Sequence, residues 1–229
     1  MEAAVRRSID AVWRIESTRL IAGLARFTNG DLERAEDLAQ DALVAALEQW
    51  PDTGVPDNPG AWLMAAAKHQ AIDGYRRETN LQLKYQQIGH EMETETVSTE
   101  DEVVKADMDV VGDDVLSLIF ITCHPLLSKD ARVSLTLRLV GGLGTDEIGR
   151  AFLVPKATVA QRITRAKRSL SEAKVPFEQP SPDGLEPRLS SVLEVIYLIF
   201  NEGYSATAGS DWMRPELCQE AMSLGRILV

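Results

Sequence analysis

Along almost the whole chain apolar residues recur three or four positions apart, and alternating apolar and polar runs are scarce, which predicts an all-α protein. Punctuation divides the pattern into elements. One helix spans roughly residues 2–27 and ends at Thr28-Asn29-Gly30, and a second starts at Asp31, a natural N-cap, and reaches Trp50 ahead of Pro51. Residues 51–60, PDTGVPDNPG, hold three prolines and two glycines and are expected to be a non-helical loop, followed by a helix from 60 to about 78. From 79 to 114 apolar residues thin out, the composition of a solvated linker that buries too little surface to offset its ordering entropy. Beyond it the spacing predicts a helix ending near His124-Pro125, another over Ser128 to Val140, a break at Gly141-Gly142, and two short helices reaching about 174. A proline-rich joint, VPFEQPSPDGLEP, precedes two last helices, about 186–201 and 215–229. In the last, Leu217, Ala221, Leu224 and Leu228 complete one apolar stripe where the sequence stops, so the chain is expected to end inside a larger domain. The organisation expected is therefore a helical domain over 1–78, a linker over 79–114, a second helical domain over 115–175, and the start of a helical extension over 176–229.

Charge changes the picture more than composition does. The 229 residues carry a net charge of −11, which taken whole argues against a nucleic-acid partner. The distribution argues otherwise: residues 91–114 alone sum to −9, whereas 61–90 sum to +2 and 145–175 to +4. An acidic linker masks local basic patches, so DNA binding is not excluded. No apolar run approaches the ~20 residues that span a bilayer, and the charged N-terminus is unlike a secretory signal, so a cytoplasmic protein without a membrane partner is expected. Two cysteines, Cys123 and Cys218, both in apolar stretches, read as buried thiols rather than a disulfide framework.

The candidate chemistry concentrates in TDEIGRAFLVPKATVAQRITRAKRSL, residues 145–170. Thr145 can N-cap a helix with Asp146 and Glu147 in its first turn; Val154-Pro155-Lys156 interrupts it, and a second helix begins near Ala157. There Val159, Ile163, Ala166 and Leu170 form a buried seam at spacings of four, three and four. The other side carries Lys156, Thr158, Gln161, Arg162, Arg165 and Arg168, with Lys167 beside them. This is a helix-turn-helix whose second helix suits the major groove: guanidinium groups read guanine edges or hold phosphates, and Gln161 can read adenine. The bland alternative is a solvated basic face on a surface helix.

The run LTLRLVGGLGTDEIGRAFLVPKATVAQRITRAKRSL resembles region 4 of the extracytoplasmic-function (ECF) group of bacterial sigma-70 factors, which contacts the promoter's minus-thirty-five element. Upstream and in the right order, DLERAEDLAQDALVAALEQW resembles region 2.2, and NPGAWLMAAAKHQAIDGYRRE resembles regions 2.3 and 2.4. The resemblance implies that the acidic surface of Glu33, Glu36, Asp37 and Asp41 docks on the clamp helices of the polymerase β′ subunit, and that region 4 meets the β flap. It also implies that the loop 51–60 and the helix after it capture unstacked bases of the minus-ten strand, with Asn58 and His69 as base contacts and Lys68, Arg76 and Arg77 on phosphates. Position 69 is His where many relatives have Asn, and Val154-Pro155-Lys156 replaces a more usual Ser-containing turn. Trp62, which could stack on a base, reads as core. The acidic linker fits a path through polymerase channels built for nucleic acid, or serves only solubility. The stretch RLSSVLEVIYLIFNEGYSAT resembles the start of a large helical C-terminal extension found in one ECF subgroup, and is expected to regulate the sigma domains in cis through the Val192/Leu193/Ile196/Phe200 stripe.

Nothing points to catalysis, a metal or a cofactor. His69, His90 and His124 are scattered, Cys123 and His124 are adjacent and cannot face one metal from a helix, and there is no phosphate loop, nucleophile elbow or zinc spacing. The reading is an alternative sigma factor with core RNA polymerase, promoter DNA and its own extension as partners. A free-standing operator-binding helix-turn-helix regulator, or a helical module that binds only proteins, remain as alternatives.

Overall fold

A computed structural model describes residues 2–87, 111–204 and 215–228. Among these residues all regular structure is helical, in the order α1 (Glu2–Phe27), α2 (Leu32–Thr53), α3 (Pro59–Gln87), α4 (Val111–Thr122), α5 (Lys129–Leu139), α6 (Thr145–Ala151), α7 (Lys156–Glu172), α8 (Pro182–Tyr204) and α9 (Pro215–Ile227). The all-α expectation is met.

Helices α1 to α3 pack on one another around Leu24, Leu38, Ala42, Trp50 and Leu63, all essentially inaccessible to solvent. Local chemistry sets their ends. Asp31 caps α2 through its carboxylate, which accepts from the Arg34 N–H at 2.9 Å, and the Asn58 side chain does the same for the Ala61 N–H at 3.1 Å, with Pro59 at the first helical position, where its missing N–H costs nothing. Two expectations fail here. Helix α2 does not stop before Pro51 but runs to Thr53; the turn survives because Gly54 N–H donates to the Trp50 carbonyl at 2.9 Å and the Thr53 hydroxyl to the Gln49 carbonyl at 2.9 Å, while Trp50 is anchored in the core. Helix α3 continues past 78 to Gln87, so the first nine residues of the expected linker are helical, as are its last four, at the start of α4. Good helix formers such as Leu81, Gln82, Leu83 and Lys84 propagate a turn without needing an apolar face. Residues 88–110, with most of the acidic segment and His90, lie outside the described residues.

Helices α4 to α7 form a second bundle around Leu118, Ile119, Leu135, Leu137 and Ile148. Its first helix ends at Thr122, close to the expected His124-Pro125 boundary, and Ser128 caps α5. The bundle is not separate from the first: α1 packs along α4, and the Thr18 hydroxyl donates to the Val140 carbonyl at 2.7 Å. Helix α8 then lies against α4 and α5, and α9 folds back on α8. At Gly203 the last two helices approach so closely that a Cβ would sit 2.8 Å from the Cys218 nitrogen, which only glycine allows.

Candidate nucleic-acid interface

The helix-turn-helix is built by α6 and α7. Gly144, rather than Thr145, precedes α6, and its N–H donates to the Glu147 carboxylate at 2.7 Å. Gly149 permits the turn, because a Cβ there would lie 2.8 Å from the Val154 carbonyl oxygen where the chain folds back. Pro155 stands at the N-cap of α7 with no side-chain hydrogen bond, so proline geometry replaces the usual polar cap. The seam is as expected: Val159, Ile163, Ala166 and Leu170 are buried. Opposite it, Lys156, Gln161, Arg165 and Arg168 are exposed along the helix, and Thr158 and Arg162 are half-buried at its edge. Arg168 bonds Glu172 one turn on, at 2.7 Å. The Arg162 guanidinium is held 2.7 Å from the Asp130 carboxylate of α5. Of the seven side chains assigned to duplex contact, Gln161, Arg165 and Arg168 thus share the outward surface of α7, with Thr158 and Arg162 at its edge and Lys156 exposed in the first turn, six in all along about 20 Å of helix.

The seventh does not. Lys167 turns toward the first bundle and pairs with Glu36 of α2, which also accepts from Arg138 Nε of α5 at 2.6 Å. The side chains of Glu36 and Lys167 are 9% and 12% exposed and that of Arg138 is 27% exposed, so this is a largely buried triad, open to solvent on the Arg138 side, that joins three helices of two bundles. Burial by itself raises the Glu36 carboxyl pKa, but the facing charges of Lys167 and Arg138 outweigh it and hold the group below its ordinary 4.5. Glu36 is therefore ionised at neutral pH.

The other acidic candidates on α2 keep an outward face. Glu33, Asp37 and Asp41 recur every four residues and are exposed, forming one stripe from which Glu36 is rotated away. On α3, His69 is exposed, while Lys68 is half-buried with its ammonium 5.8 Å from the centre of the Phe27 ring, and desolvation lowers its pKa. Asn58 has a capping duty already. Arg76 and Arg77 lie within α3, their side chains outside the described residues. Trp62 packs edge-on against Trp50 with ring centroids 5.3 Å apart, in keeping with a core role.

Comparison with known proteins decides the family. A model of sigma-70 region 2 matches residues 15–80, and one of sigma-70 region 4 matches residues 117–170. The chain belongs to the sigma-70 family. Region 2 is thus carried by α1 to α3 and region 4 by α4 to α7. A third model, a family of unknown function (DUF6596), matches residues 188–229, which include most of α8 and all of α9. An uncharacterized protein of Rhizobium meliloti (strain 1021) is 39% identical over 207 residues, covering 90% of this chain and 48% of the relative. The chain thus spans about half the length of the curated relative it matches. No solved structure matches.

Several residues that matter to these sigma domains carry no motif. Arg138 lies in KDARVSLTLRL, a helix buried around most of its circumference, and Arg132 of the same helix is 8% exposed. Arg132 donates to the Ser191 hydroxyl at 2.5 Å and pairs with Glu194 at 3.0 Å, both on α8, while the Ser191 hydroxyl donates to the Cys123 carbonyl. Arg188 reaches the Phe120 carbonyl at 2.6 Å, and Lys129 pairs with Glu194 at 2.5 Å. A signal did exist: an arginine inside a nearly all-buried helix needs a partner, though sequence does not name which. Cys123 is fully buried and near Thr136 at 3.3 Å, with its thiol pushed up to about 11 by desolvation, whereas Cys218 is only partly buried. His124 Nδ1 accepts from the Leu126 N–H at 3.1 Å; burial and the nearby Arg188 lower its pKa. Among the described residues no three His, Cys, Asp or Glu side chains gather as a metal site, and no helix is long and apolar enough to cross a membrane.

Proposed function

We propose that this chain is an ECF-type alternative sigma factor that binds core RNA polymerase and directs promoter-specific transcription initiation. The observation that carries this reading is the joint presence, in the family's order, of region 2 and region 4 on one chain. A lone operator-binding regulator needs only α6 and α7 and leaves α2 and α3 without a task. In this reading the Glu33, Asp37 and Asp41 stripe meets the β′ clamp helices, region 4 meets the β flap, α7 anchors the minus-thirty-five duplex through Lys156, Thr158, Gln161, Arg162, Arg165 and Arg168, and α3 with Asn58 and His69 takes the opened minus-ten strand. Catalysis belongs to the polymerase; the sigma chain supplies position and strand capture.

The extension acts in cis on region 4. Its α8 is held to α4 and α5 by the Arg132, Ser191, Arg188 and Glu194 contacts, several of them buried and charge-assisted, the kind of bond that fixes one docking geometry. Co-elution with core polymerase on gel filtration at moderate salt tests the reading, for this chain and for one ending near Lys174. Co-elution supports it; an isolated protein that ignores polymerase yet shifts duplex DNA is an operator-binding regulator instead. Unchanged promoter activity and stability after removal of 176 onward overturn the cis role.

A further inference from the structure

On the duplex-facing side of α7 one arginine is held from another helix. Arg168 bonds Glu172 within α7, but the Arg162 Nη2 sits 2.7 Å from the Asp130 carboxylate in the first turn of α5. Asp130 is placed to hold a direction: Ser128 caps α5 just ahead of it, and Val133, Leu135 and Leu137 anchor the same helix in the core of region 4. The two basic residues beside it on α5 are turned elsewhere, since Lys129 and Arg132 both pair with Glu194 of α8. Arg162 stands about 40° round α7 from Thr158 and about 60° from Arg165, so the Asp130 carboxylate lies along one flank of the surface assigned to the duplex.

We propose that Asp130 is a positioning residue for duplex recognition: it orients the Arg162 guanidinium toward a base edge and keeps it off the phosphates. The inference rests on the sigma reading for the duplex that region 4 meets. Stability does not account for the pair. The Asp130 side chain is 65% exposed and that of Arg162 is 29% exposed, and ion pairs with such access to water add little to folding. An acid at the rim of a surface that meets a polyanion also repels it, so Asp130 lowers general DNA affinity. What it adds is direction. An unrestrained arginine swings through many rotamers and takes whichever phosphate is near. One whose plane is set by a carboxylate offers its remaining N–H groups in a fixed fork, the geometry that O6 and N7 of guanine require. The ordering of that long side chain is then complete before DNA arrives. Neutralising Asp130 therefore has a double signature, weaker discrimination together with stronger general binding.

The test uses the full chain as wild type, Asp130→Asn, Asp130→Glu, Arg162→Ala and the double variant Asp130→Asn with Arg162→Ala. Each is incubated, with and without core polymerase, with a pool of duplexes randomised over one helical turn, and the retained duplexes are sequenced. Binding to a mixed-sequence duplex is read by fluorescence anisotropy. Asp130→Asn is expected to flatten base preference about tenfold at the position that Arg162→Ala also flattens, while binding the mixed duplex more tightly. In the Arg162→Ala background it should flatten nothing further, because the two residues act as one unit, and Asp130→Glu should restore the preference. Melting curves confirm folding, and Asp130→Ser replaces Asp130→Asn should the latter not fold. Preference left intact by Asp130→Asn, or lost at positions that Arg162→Ala does not touch, overturns the proposal, as does a wild-type chain that enriches no sequence in either setting. A chain that enriches a motif alone and ignores polymerase removes the sigma reading, and the same variants on that motif still decide the role of Asp130.

Discussion

Helices α2 and α7 look like mirror images in charge, one acidic and one basic, yet they sit differently in the molecule. In α7 the buried residues keep to one narrow seam of four, and six of the seven residues on or beside its polar face stay outside. In α2 eight residues are buried, Glu36 among them, because α2 is covered by α1 and α3 and is met again by region 4. A helix at the edge of a bundle shows its function in its pattern; one between two bundles hides part of it. The teaching is that an acidic residue beside an apolar stripe is ambiguous until both neighbours of the helix are known.

The comparison breaks most readily through the cores. Trp50→Ala should destabilise region 2 by about 3–5 kcal/mol, and Ile163→Ala should destabilise region 4 by about 2–5 kcal/mol. Thermal melts of the two variants then show whether the regions unfold together, as their packing predicts, or in two steps. Next in size is Arg165→Ala, expected to cost roughly 1–3 kcal/mol of promoter-duplex affinity while leaving the melting temperature alone, as read by fluorescence anisotropy in the presence of polymerase. On α2 the matching change is Asp37→Asn with Asp41→Asn, which should weaken co-elution with polymerase without altering DNA affinity.

Acid sharpens the contrast further. The Glu36 pKa is lowered in the folded chain, so its contribution to the contact between the bundles is complete above 4.5 and is lost as the pH falls through the lowered value. Once protonated it faces Lys167 of α7 and Arg138 of α5, which stay charged, with Gln40 of α2 as its neutral neighbour. Wild-type chain should therefore expand on acidification through that window, and Glu36→Gln should show a flatter dependence by scattering. The smallest effect belongs to Arg168→Ala: its bond to Glu172 is fully solvated, so no shift in melting is expected, only weaker DNA binding and a shallower salt slope.

Much of this was legible in residue order. The α7 seam, the Asp31 cap and the glycine break before α6 follow from spacing and cap chemistry, whereas the cap read at Thr145 falls on Gly144. The extent of α3 was not, because a polar stretch without apolar period is equally compatible with linker and with solvated helix. Nor was Pro51 inside α2, since the anchoring that tolerates it is the burial of Trp50, a tertiary fact. The inward turn of Lys167 escaped for a related reason. It follows Ala166 of the seam and stands about 160° round α7 from Arg165, on the side where Glu36 meets it.

Helix α1 touches α2, α3 and α4, and through Thr18 and Arg26 its far side meets residues that come more than eighty positions later. On the ribosome this has a temporal meaning. The first three helices emerge with a docking face that has no cover until α4 and α5 follow, many seconds into elongation at ordinary synthesis rates. During that interval the nascent chain displays the surface that the finished protein conceals.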